Sequence, residues 1–465
     1  MTDNFSPWRK RFDGLLDLDV IRAKAENYPV EVIGLLELPP QQALLSLKMA
    51  LEECVVLSDT ELEHLAKLLG RSAAYTAAAY PDSKTFLAQM HKESIDTLTM
   101  PPVCLTGLAG VGKSTFLTAF ERTLPVSGVV TGISGLLNSC LPTESSVRTQ
   151  VEAATSFVDL LDPWLPREQI LPPDSLNIVK HSPRRRLDAE LRRAAKWSYR
   201  MGRSASIVDE MQFLSQGSEA SAQITKFLLM LMHIRVPLIY AANYSLCHKL
   251  MKRNQEDRDR LLADVIVLKP LEPNERGLGR LLHAYSQVLA PYLEGDLNQF
   301  FDEYASWTLG IRRKVRELTV SAFGLMRERG DTILKINHIS KAYHKEVSNA
   351  FRLDIEDLNK QSARLSPVKG KMDLWCPFGK ELNQLNIPSV VPSSSRAQEI
   401  SNIFLRQSLT AKERRTIAAF ESSSRNVAID IYAKDKSSAP SKEKSSKKEI
   451  TPEELLKNTQ RYIKD

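Results

Sequence analysis

One octapeptide constrains this sequence more than any other feature. Gly107-Leu-Ala-Gly-Val-Gly-Lys113-Ser114 fits the pattern G-x-x-x-x-G-K-[ST], whose backbone N–H groups wrap phosphates. The apolar run Val103–Thr106 precedes it, and the helical pattern Thr115–Arg122 follows. A strand, a glycine loop and a helix N-terminus in this order form a phosphate-binding site. We therefore expect a nucleotide-binding α/β domain.

The residues of this loop have separate expected roles. Lys113 is predicted to reach the β- and γ-phosphates of ATP, and the Ser114 hydroxyl is predicted to bind Mg²⁺. The other residues expected to contact the nucleotide are Gly107, Ala109, Gly110, Val111, Gly112 and Thr115.

A carboxylate pair at the end of a later apolar run completes the predicted site. In Ala205-Ser-Ile-Val-Asp209-Glu210, Asp209 is expected to hold Mg²⁺ and Glu210 to polarise the attacking water. An Asp-Glu pair at a strand end also serves as a helix cap. Its combination with the upstream phosphate loop favours the catalytic interpretation.

Further polar residues suit ATP hydrolysis that is coupled to assembly. Asn243 follows the next strand, where it could bond the attacking water or simply form a turn. An arginine before the last strand could reach the γ-phosphate of a neighbouring subunit, although this run could equally be a solvated loop. The candidates for that role are Arg253, Arg258 and Arg260. Arg312 or Arg313, which open a helical pattern, could sense the γ-phosphate from a lid.

The alternation of short apolar runs with helical patterns predicts a parallel sheet with helices on both faces. The predicted strands are 103–106, 128–133, 205–209, 237–242 and 264–269. Helical patterns without strands follow near 274–290, 296–308, 311–328 and 337–347. The predicted parts are a helical partner-docking region (1–97), an ATPase α/β subdomain (98–272), a helical lid (273–350), a linker and helical extension (351–432), a disordered linker (433–450) and a terminal docking helix (451–465). Within the fourth part, proline-punctuated 366–396 is expected to be extended and 397–420 helical.

The net charge of +7 is unevenly distributed. Residues 1–100 carry 10 basic and 15 acidic side chains, whereas residues 180–203 carry 9 basic and 2 acidic ones. A helix starting after Pro183 would bury one stripe and present cations on another. The candidate DNA contacts are Arg185, Arg192, Arg193, Lys196, Arg200 and Arg203. Contacts to duplex phosphates would be sequence-tolerant and salt-dependent, but the helix could instead pair with the acidic N-terminal region.

Taken together, the phosphate loop, the Asp-Glu strand, the strand-end Asn, the arginines and the helical lid resemble an AAA+ ATPase. Within that superfamily, the loop 105–115 and the run Ser206-Ile-Val-Asp-Glu-Met-Gln-Phe-Leu214 resemble the TnsC/TniB transposition regulators. The usual Asp-Glu-x-Gln sequence of that family is matched through Gln212. The resemblance covers about 101–347, and the long stretch 134–204 departs from it.

This resemblance implies ATP and Mg²⁺ as cofactors and homo-oligomers, rings or filaments, around duplex DNA. It also implies a bridge between a target-site selector, bound through the N-terminal region, and a transposase, bound through the C-terminal tail. Alternatives are a helicase loader or replication initiator, and a signalling ATPase that binds no DNA. The lack of a secretion signal, a membrane span or a CxxC pair favours a cytoplasmic, nucleoid-associated bacterial protein with reduced thiols.

Overall fold

A five-stranded parallel sheet organises the protein in a computed structural model. The structure describes residues 6–92, 94–131, 133, 140–150, 159–166, 183–209, 220–345 and 349–385, with backbone only at 159, 183–186, 220–221 and 349–351. Its strands are β1 (Val103–Gly107), β2 (Gly128–Val130), β3 (Leu141–Thr143), β4 (Ser146–Gln150), β5 (Ala205–Asp209), β6 (Leu238–Ala242) and β7 (Asp264–Leu268). The order in the parallel sheet is β4-β5-β6-β1-β7.

Helices pack around this sheet, and further helices precede β1 and follow β7 in the chain. They are α1 (Pro7–Lys10), α2 (Leu18–Ala25), α3 (Pro40–Glu53), α4 (Asp59–Ala79), α5 (Ser83–His91), α6 (Lys113–Thr123), α7 (Pro183–Arg200), α8 (Ala220–Met232), α9 (Tyr244–Met251), α10 (Gln255–Leu261), α11 (Arg280–Val288), α12 (Phe301–Thr308), α13 (Arg312–Glu328), α14 (Ile336–His344) and α15 (Asn349–Arg364). None of the helices in the described part of the chain is long and apolar enough to cross a membrane.

Both faces of the sheet are covered, as the apolar runs predict. All residues of β1, β5 and β6 are buried, which is typical of parallel strands with helices on both sides. Leu105 and Ile207 belong to a core shared with α2, α4 and α6. Val208 and Tyr240 belong to a second core with α7, α8 and α9.

Four of the five predicted strands lie in the parallel sheet, and the fifth forms a shorter strand outside it. Gly128–Val130 forms an antiparallel hairpin with β3, and β4 occupies the edge position beside β5. The sequence Ser-Val-Arg-Thr-Gln of β4 shows little apolar signal because the strand lies at an edge. Only Val147 and Thr149 are buried.

The N-terminal region is helical, as predicted, and its helices pack on two different parts of the chain. Phe12, Ile21 and Leu65 lie in one core with strand β1. Helix α3 packs instead on the lid helix α13, where Leu47 and Leu51 are buried. The apolar stripes that identify these helices in the sequence are therefore buried against other parts of the same chain.

Three ion pairs, which we call the lid seam, join the acidic N-terminal region to the lid. They are Glu26–Arg280 (2.7 Å), Glu52–Arg316 (2.9 Å) and Glu61–Arg312 (2.7 Å). Part of the acidic charge of residues 1–100 thus compensates arginines of the lid.

The four predicted lid helices are confirmed, with α11 preceded by a π-helical turn at Glu275–Gly279. Residues 366–385 do not form the predicted extended linker. They fold in short 3₁₀ turns, and Trp375 and Cys376 are buried against the chain. These apolar side chains outweigh the proline signal. The predicted helix 397–420, disordered linker and terminal docking helix lie outside the described residues.

Candidate nucleotide site and basic helix

The phosphate loop has the backbone that its sequence predicts. It connects the buried strand β1 to α6, and no side chain caps the N-terminus of that helix. Gly110 has φ +79°, and a Cβ there would lie 2.7 Å from the Cβ of Arg313. Only glycine suits both the left-handed backbone and this close approach. The first turn of α6 therefore presents backbone N–H groups and positive helix-dipole charge at the loop.

Lys113 is held inside the curve of the loop. Its ammonium group donates hydrogen bonds to the carbonyl oxygens of Gly107 and Leu108, both at 3.0 Å. Ser114, one residue later, lines a groove of about 860 Å³ together with Thr115. The loop thus brings together an ammonium group that can bind phosphate and hydroxyl groups that can bind Mg²⁺.

Asp209 ends β5 and is almost fully buried, with 2% exposure. Arg148 of the neighbouring strand β4 donates a hydrogen bond from Nη2 to Asp209 Oδ2 at 2.7 Å. Through Nη1, Arg148 also donates to Glu121 and Thr118 of α6, both at 2.9 Å. Burial acts to lower the pKa of Arg148, but its bonds to Asp209 and Glu121 outweigh burial and raise that pKa.

Sequence reasoning missed Arg148. No motif marks it, because its strand is short and polar and its partners come from two other elements. The signal that could have found it is an arginine within a possible edge strand before the Asp-Glu strand. Among the described residues, no cluster of three His, Cys, Asp or Glu side chains could hold a metal by itself. A cation at Asp209 would therefore need phosphate or water ligands as well, as Mg²⁺ commonly does.

The lid arginines Arg312 and Arg313 lie against the phosphate loop. The Arg313 amide donates to the Gly110 carbonyl oxygen at 3.0 Å. Arg312 Nη1 donates to the carbonyl oxygen of Val111 at 2.9 Å. Its guanidinium also forms two hydrogen bonds with the Glu61 carboxylate, at 2.7 and 2.9 Å. The structure therefore brings the loop, the lid and α4 together at one arginine.

The remaining described candidates for catalysis lie outside the phosphate loop and the lid. Asn243 follows β6 at the same carboxyl edge of the sheet as Asp209, and its side chain does not cap α9. Arg258 and Arg260 lie on α10 in exposed ion pairs with Asp259 and Glu256. Arg253 pairs with Asp257 at 3.3 Å. Glu210 and Gln212 lie outside the described residues.

The predicted basic helix begins at Pro183 and has the two expected stripes. Leu191, Ala194 and Ser198 are buried, whereas Arg192 and Arg200 are exposed. The described polar side comprises Arg192, Arg193, Lys196 and Arg200. Arg193 pairs with Glu190 at 3.0 Å, and the Arg200 guanidinium lies 5.3 Å from the centre of the Trp197 ring.

Arg203 does not belong to the exposed stripe that the sequence predicts. It follows the end of α7 and is only 3% exposed. Its guanidinium bonds the Glu144 carboxylate at 2.7 and 3.0 Å and the carbonyl oxygens of Pro163 and Trp164. Arg203 therefore links the end of α7 to Glu144, which follows β3, and to the backbone of residues 163–164. The side chain of Arg185 lies outside the described residues.

Comparison with known families gives the fold its assignment. Residues 99–250 match the family model described as AAA domain, and this range contains the phosphate loop, β4, β5 and β6. The fold is that of an AAA+ P-loop ATPase. The activity that belongs to this domain is ATP hydrolysis. No curated protein sequence matches the chain significantly.

The chain is also similar to several solved structures, at low sequence identity and with TM-scores below 0.5. The Orc1 protein of Aeropyrum pernix, solved in complex with DNA, is 16% identical with a TM-score of 0.39, covering 68% of this chain and 70% of its own. The ORC2 protein of Aeropyrum pernix in its ADP form is 13% identical with a TM-score of 0.37, covering 70% and 93%. Thermotoga maritima RuvB T158V is 10% identical with a TM-score of 0.32, covering 61% and 74%.

Proposed function

We propose that this protein is an ATP-dependent, DNA-binding regulator of DNA transposition that oligomerises on duplex DNA and links target-site selection to a transposase. The observation that carries the DNA-binding part is the row of cations on α7, of which Arg192 and Arg200 are exposed and Lys196 is half-buried, in the same chain as the AAA phosphate loop. The transposition part rests on the resemblance of the loop and of the Asp-Glu-x-Gln run to the TnsC/TniB regulators.

The residues at the phosphate loop fit ATP with Mg²⁺. Gly110 allows a close backbone approach, and Lys113 supplies a positive charge inside the loop. The Ser114 hydroxyl and the Asp209 carboxylate are hard oxygen ligands, which Mg²⁺ prefers. Bound Mg²⁺ would neutralise charge that develops on the phosphates. In this proposal Lys113 holds the terminal phosphates, and Arg312 and Arg313 read them from the lid.

Glu210, Asn243, Arg258 and Arg260 complete the proposed hydrolytic machinery. Glu210 polarises the attacking water, and Asn243 holds that water or the γ-phosphate. Arg258 and Arg260 are proposed to act on the nucleotide of a neighbouring subunit. Glu210→Gln should slow hydrolysis and prolong protein–DNA complexes formed with ATP. Equal lifetimes for the variant and the wild type would argue against the role of Glu210.

The charge and spacing on α7 support duplex phosphates as the ligand. Arg192, Lys196 and Arg200 recur every fourth residue, about 6 Å apart along the helix axis. Within the described chain, none of these three cations forms an ion pair. Three acidic side chains of the N-terminal region, Glu26, Glu52 and Glu61, pair with lid arginines rather than with this helix. The alternative expectation, a basic helix paired with the acidic region, is therefore not favoured.

The DNA-binding proposal is tested with the triple variant R192A/K196A/R200A. Fluorescence anisotropy on random duplex DNA would measure affinity at several salt concentrations with a slowly hydrolysed ATP analogue. If all three cations contact phosphates, the slope of log affinity against log salt should become less steep by about 2.7. The matched control K10A/K48A/K84A removes three exposed lysines elsewhere and should keep the wild-type slope. Equal slopes for both triple variants would refute the assignment.

The proposed partners are a target-site selector at the N-terminal region and a transposase at the C-terminal tail. Deletion of 450–465 should spare ATP and DNA binding and abolish transposase recruitment. A pull-down of transposase with DNA-bound protein would measure this. Recruitment by the truncated chain at the wild-type level would contradict the role of the tail.

A further inference from the structure

We propose that Arg148 is a positioning residue that fixes the orientation of the Asp209 carboxylate and thereby sets the affinity of the nucleotide site for Mg²⁺. This inference rests on the proposed function, because it requires Asp209 to hold the metal. It adds a residue that no sequence motif identifies.

The geometry of Arg148 suits orientation of a carboxylate. Its guanidinium donates to Asp209 Oδ2 at 2.7 Å through one nitrogen. The other terminal nitrogen is bound by Glu121 and Thr118 of α6, each at 2.9 Å. Thr118 in turn donates to the carbonyl oxygen of Ser114, one helical turn earlier. Arg148 is thus fixed to the same helix that carries the proposed Ser114 ligand.

Burial makes this contact strong and directional. The Asp209 side chain is 3% exposed and that of Arg148 18%, so water screens the pair weakly. Hydrogen bonds between charged groups are about twice as strong as neutral ones, and the rigid guanidinium plane adds direction. Rotation of the Asp209 carboxylate would break the 2.7 Å bond inside the protein. The carboxylate therefore keeps one orientation before any cation arrives.

Such fixed partners commonly determine how well a carboxylate binds metal. Loss of a hydrogen-bonding partner of a metal ligand typically costs about 10- to 100-fold in metal affinity or activity. Arg148 also lines the 860 Å³ groove with Ser114, so it lies beside the proposed metal position. A purely structural Arg148, which would only attach β4 to α6, predicts a loss of stability without a change in Mg²⁺ dependence.

The test measures binding of a fluorescent N-methylanthraniloyl derivative of ATP to the full chain, with and without Mg²⁺. R148Q should raise the Mg²⁺ concentration for half-maximal binding by about 10- to 100-fold. Its Mg²⁺-free nucleotide affinity should stay within threefold of wild type. R148K keeps the positive charge but cannot bond Asp209 and α6 with two nitrogens, so it should still shift the midpoint at least threefold. Thermal unfolding would confirm that each variant is folded.

Two controls separate the possible failures. Arg122→Gln removes an exposed cation that lines the same groove without an Asp209 contact, and its Mg²⁺ midpoint should equal that of wild type. Asp209→Asn should shift the midpoint if Asp209 holds the metal, and an unchanged midpoint would overturn that part of the proposed function. If D209N shifts and R148Q does not, only the role of Arg148 is refuted.

Two further results would overturn the inference. An equal loss of nucleotide affinity by R148Q with and without Mg²⁺ would identify Arg148 as a phosphate contact. If R148Q does not fold, R148K carries the test, and a wild-type Mg²⁺ midpoint in folded R148K would refute the positioning role.

Discussion

The ion pair between Glu61 and Arg312 offers a direct test of how the N-terminal region is joined to the lid. Glu61 lies in the first turn of α4, where it also completes a capping box with Ser58. We predict that Glu61→Gln destabilises the protein mainly by removing the charge that faces Arg312. Glutamine retains a carbonyl oxygen that can accept the capping hydrogen bonds, so the helix N-terminus should survive.

The magnitude follows from burial. The side chains of Glu61 and Arg312 are 5% and 11% exposed. Removing one partner of a buried ion pair costs about 3–5 kcal/mol, because the other charge stays buried without compensation. Arg312 retains the carbonyl oxygens of Val56 and Val111 as acceptors, so we expect the lower part of this range, about 3–4 kcal/mol. The corresponding decrease in apparent Tm is about 4–5 °C, because a folded chain of this length has an unfolding entropy of about 0.8 kcal/mol per kelvin.

The matched control is Glu52→Gln, which removes the same charge from another pair of the lid seam. Glu52 is 45% exposed and its partner Arg316 20% exposed. Exposed ion pairs contribute about 0–1 kcal/mol, so the control should shift the apparent Tm by about 2 °C or less. Both variants would be unfolded thermally in the same buffer without nucleotide and monitored by circular dichroism.

A decrease in apparent Tm for Glu61→Gln no larger than that for Glu52→Gln would refute this reasoning. It would mean that the arrangement of Glu61 and Arg312 contributes no more than a surface pair. The same conclusion would follow if high salt abolished the difference in apparent Tm between Glu61→Gln and the wild type, because salt screens buried ion pairs only weakly.

Three further predictions concern thiols, pH and backbone conformation. Cys140 is exposed, whereas burial raises the pKa of Cys54 to about 12. Ellman's reagent at pH 8 should therefore label one thiol quickly in the native protein, and Cys140→Ser should remove this fast labelling. Fast labelling of a second thiol would contradict the burial pattern. Burial lowers the pKa of His64, so the unfolded chain binds a proton there at higher pH than the folded chain does. The contribution of His64 to stability is therefore complete above about pH 6.5 and is lost as the pH falls below that value. His64→Gln should make the denaturant midpoint depend less on pH between pH 7 and 5, and parallel midpoint curves for the variant and the wild type would disprove this. Gly310 has φ +69°, and an added Cβ there would lie 2.1 Å from a backbone carbonyl oxygen, whereas Gly330, with φ +74°, faces open space. Gly330→Ala should lower the free energy of unfolding in urea by about 1–2 kcal/mol, and Gly310→Ala should lower it clearly more. Equal decreases for the two variants would contradict the role of the close contact.

Several parts of the fold could be predicted because their signals are local in sequence. Strands β1, β5 and β6 are continuous apolar runs, since parallel strands are covered on both faces. The phosphate loop is equally readable, because glycine, lysine and serine act there through neighbouring backbone atoms. The basic helix α7 was predicted correctly for the same reason, from its periodic cations and buried stripe.

Other parts could not be predicted because their signals are distributed. Strand β4 has few apolar residues at its edge position, and the run at 128–133 resembled a strand more strongly. Arg203 matched the spacing of the cationic stripe, yet the chain turns inward after α7 and buries it on Glu144. The prolines of 366–385 suggested an extended chain, whereas Trp375 and Cys376 found places in the core.

The sequence by itself determined the phosphate loop, the Asp209 strand and the helical lid, because each depends on residues a few positions apart. Only the tertiary structure decided which charges meet. It directed the acidic N-terminal side chains to Arg280, Arg312 and Arg316 of the lid, and it set Arg148 against Asp209. The physical reason is that an ion pair depends on burial and on a separation of a few ångströms. Packing of distant elements controls both.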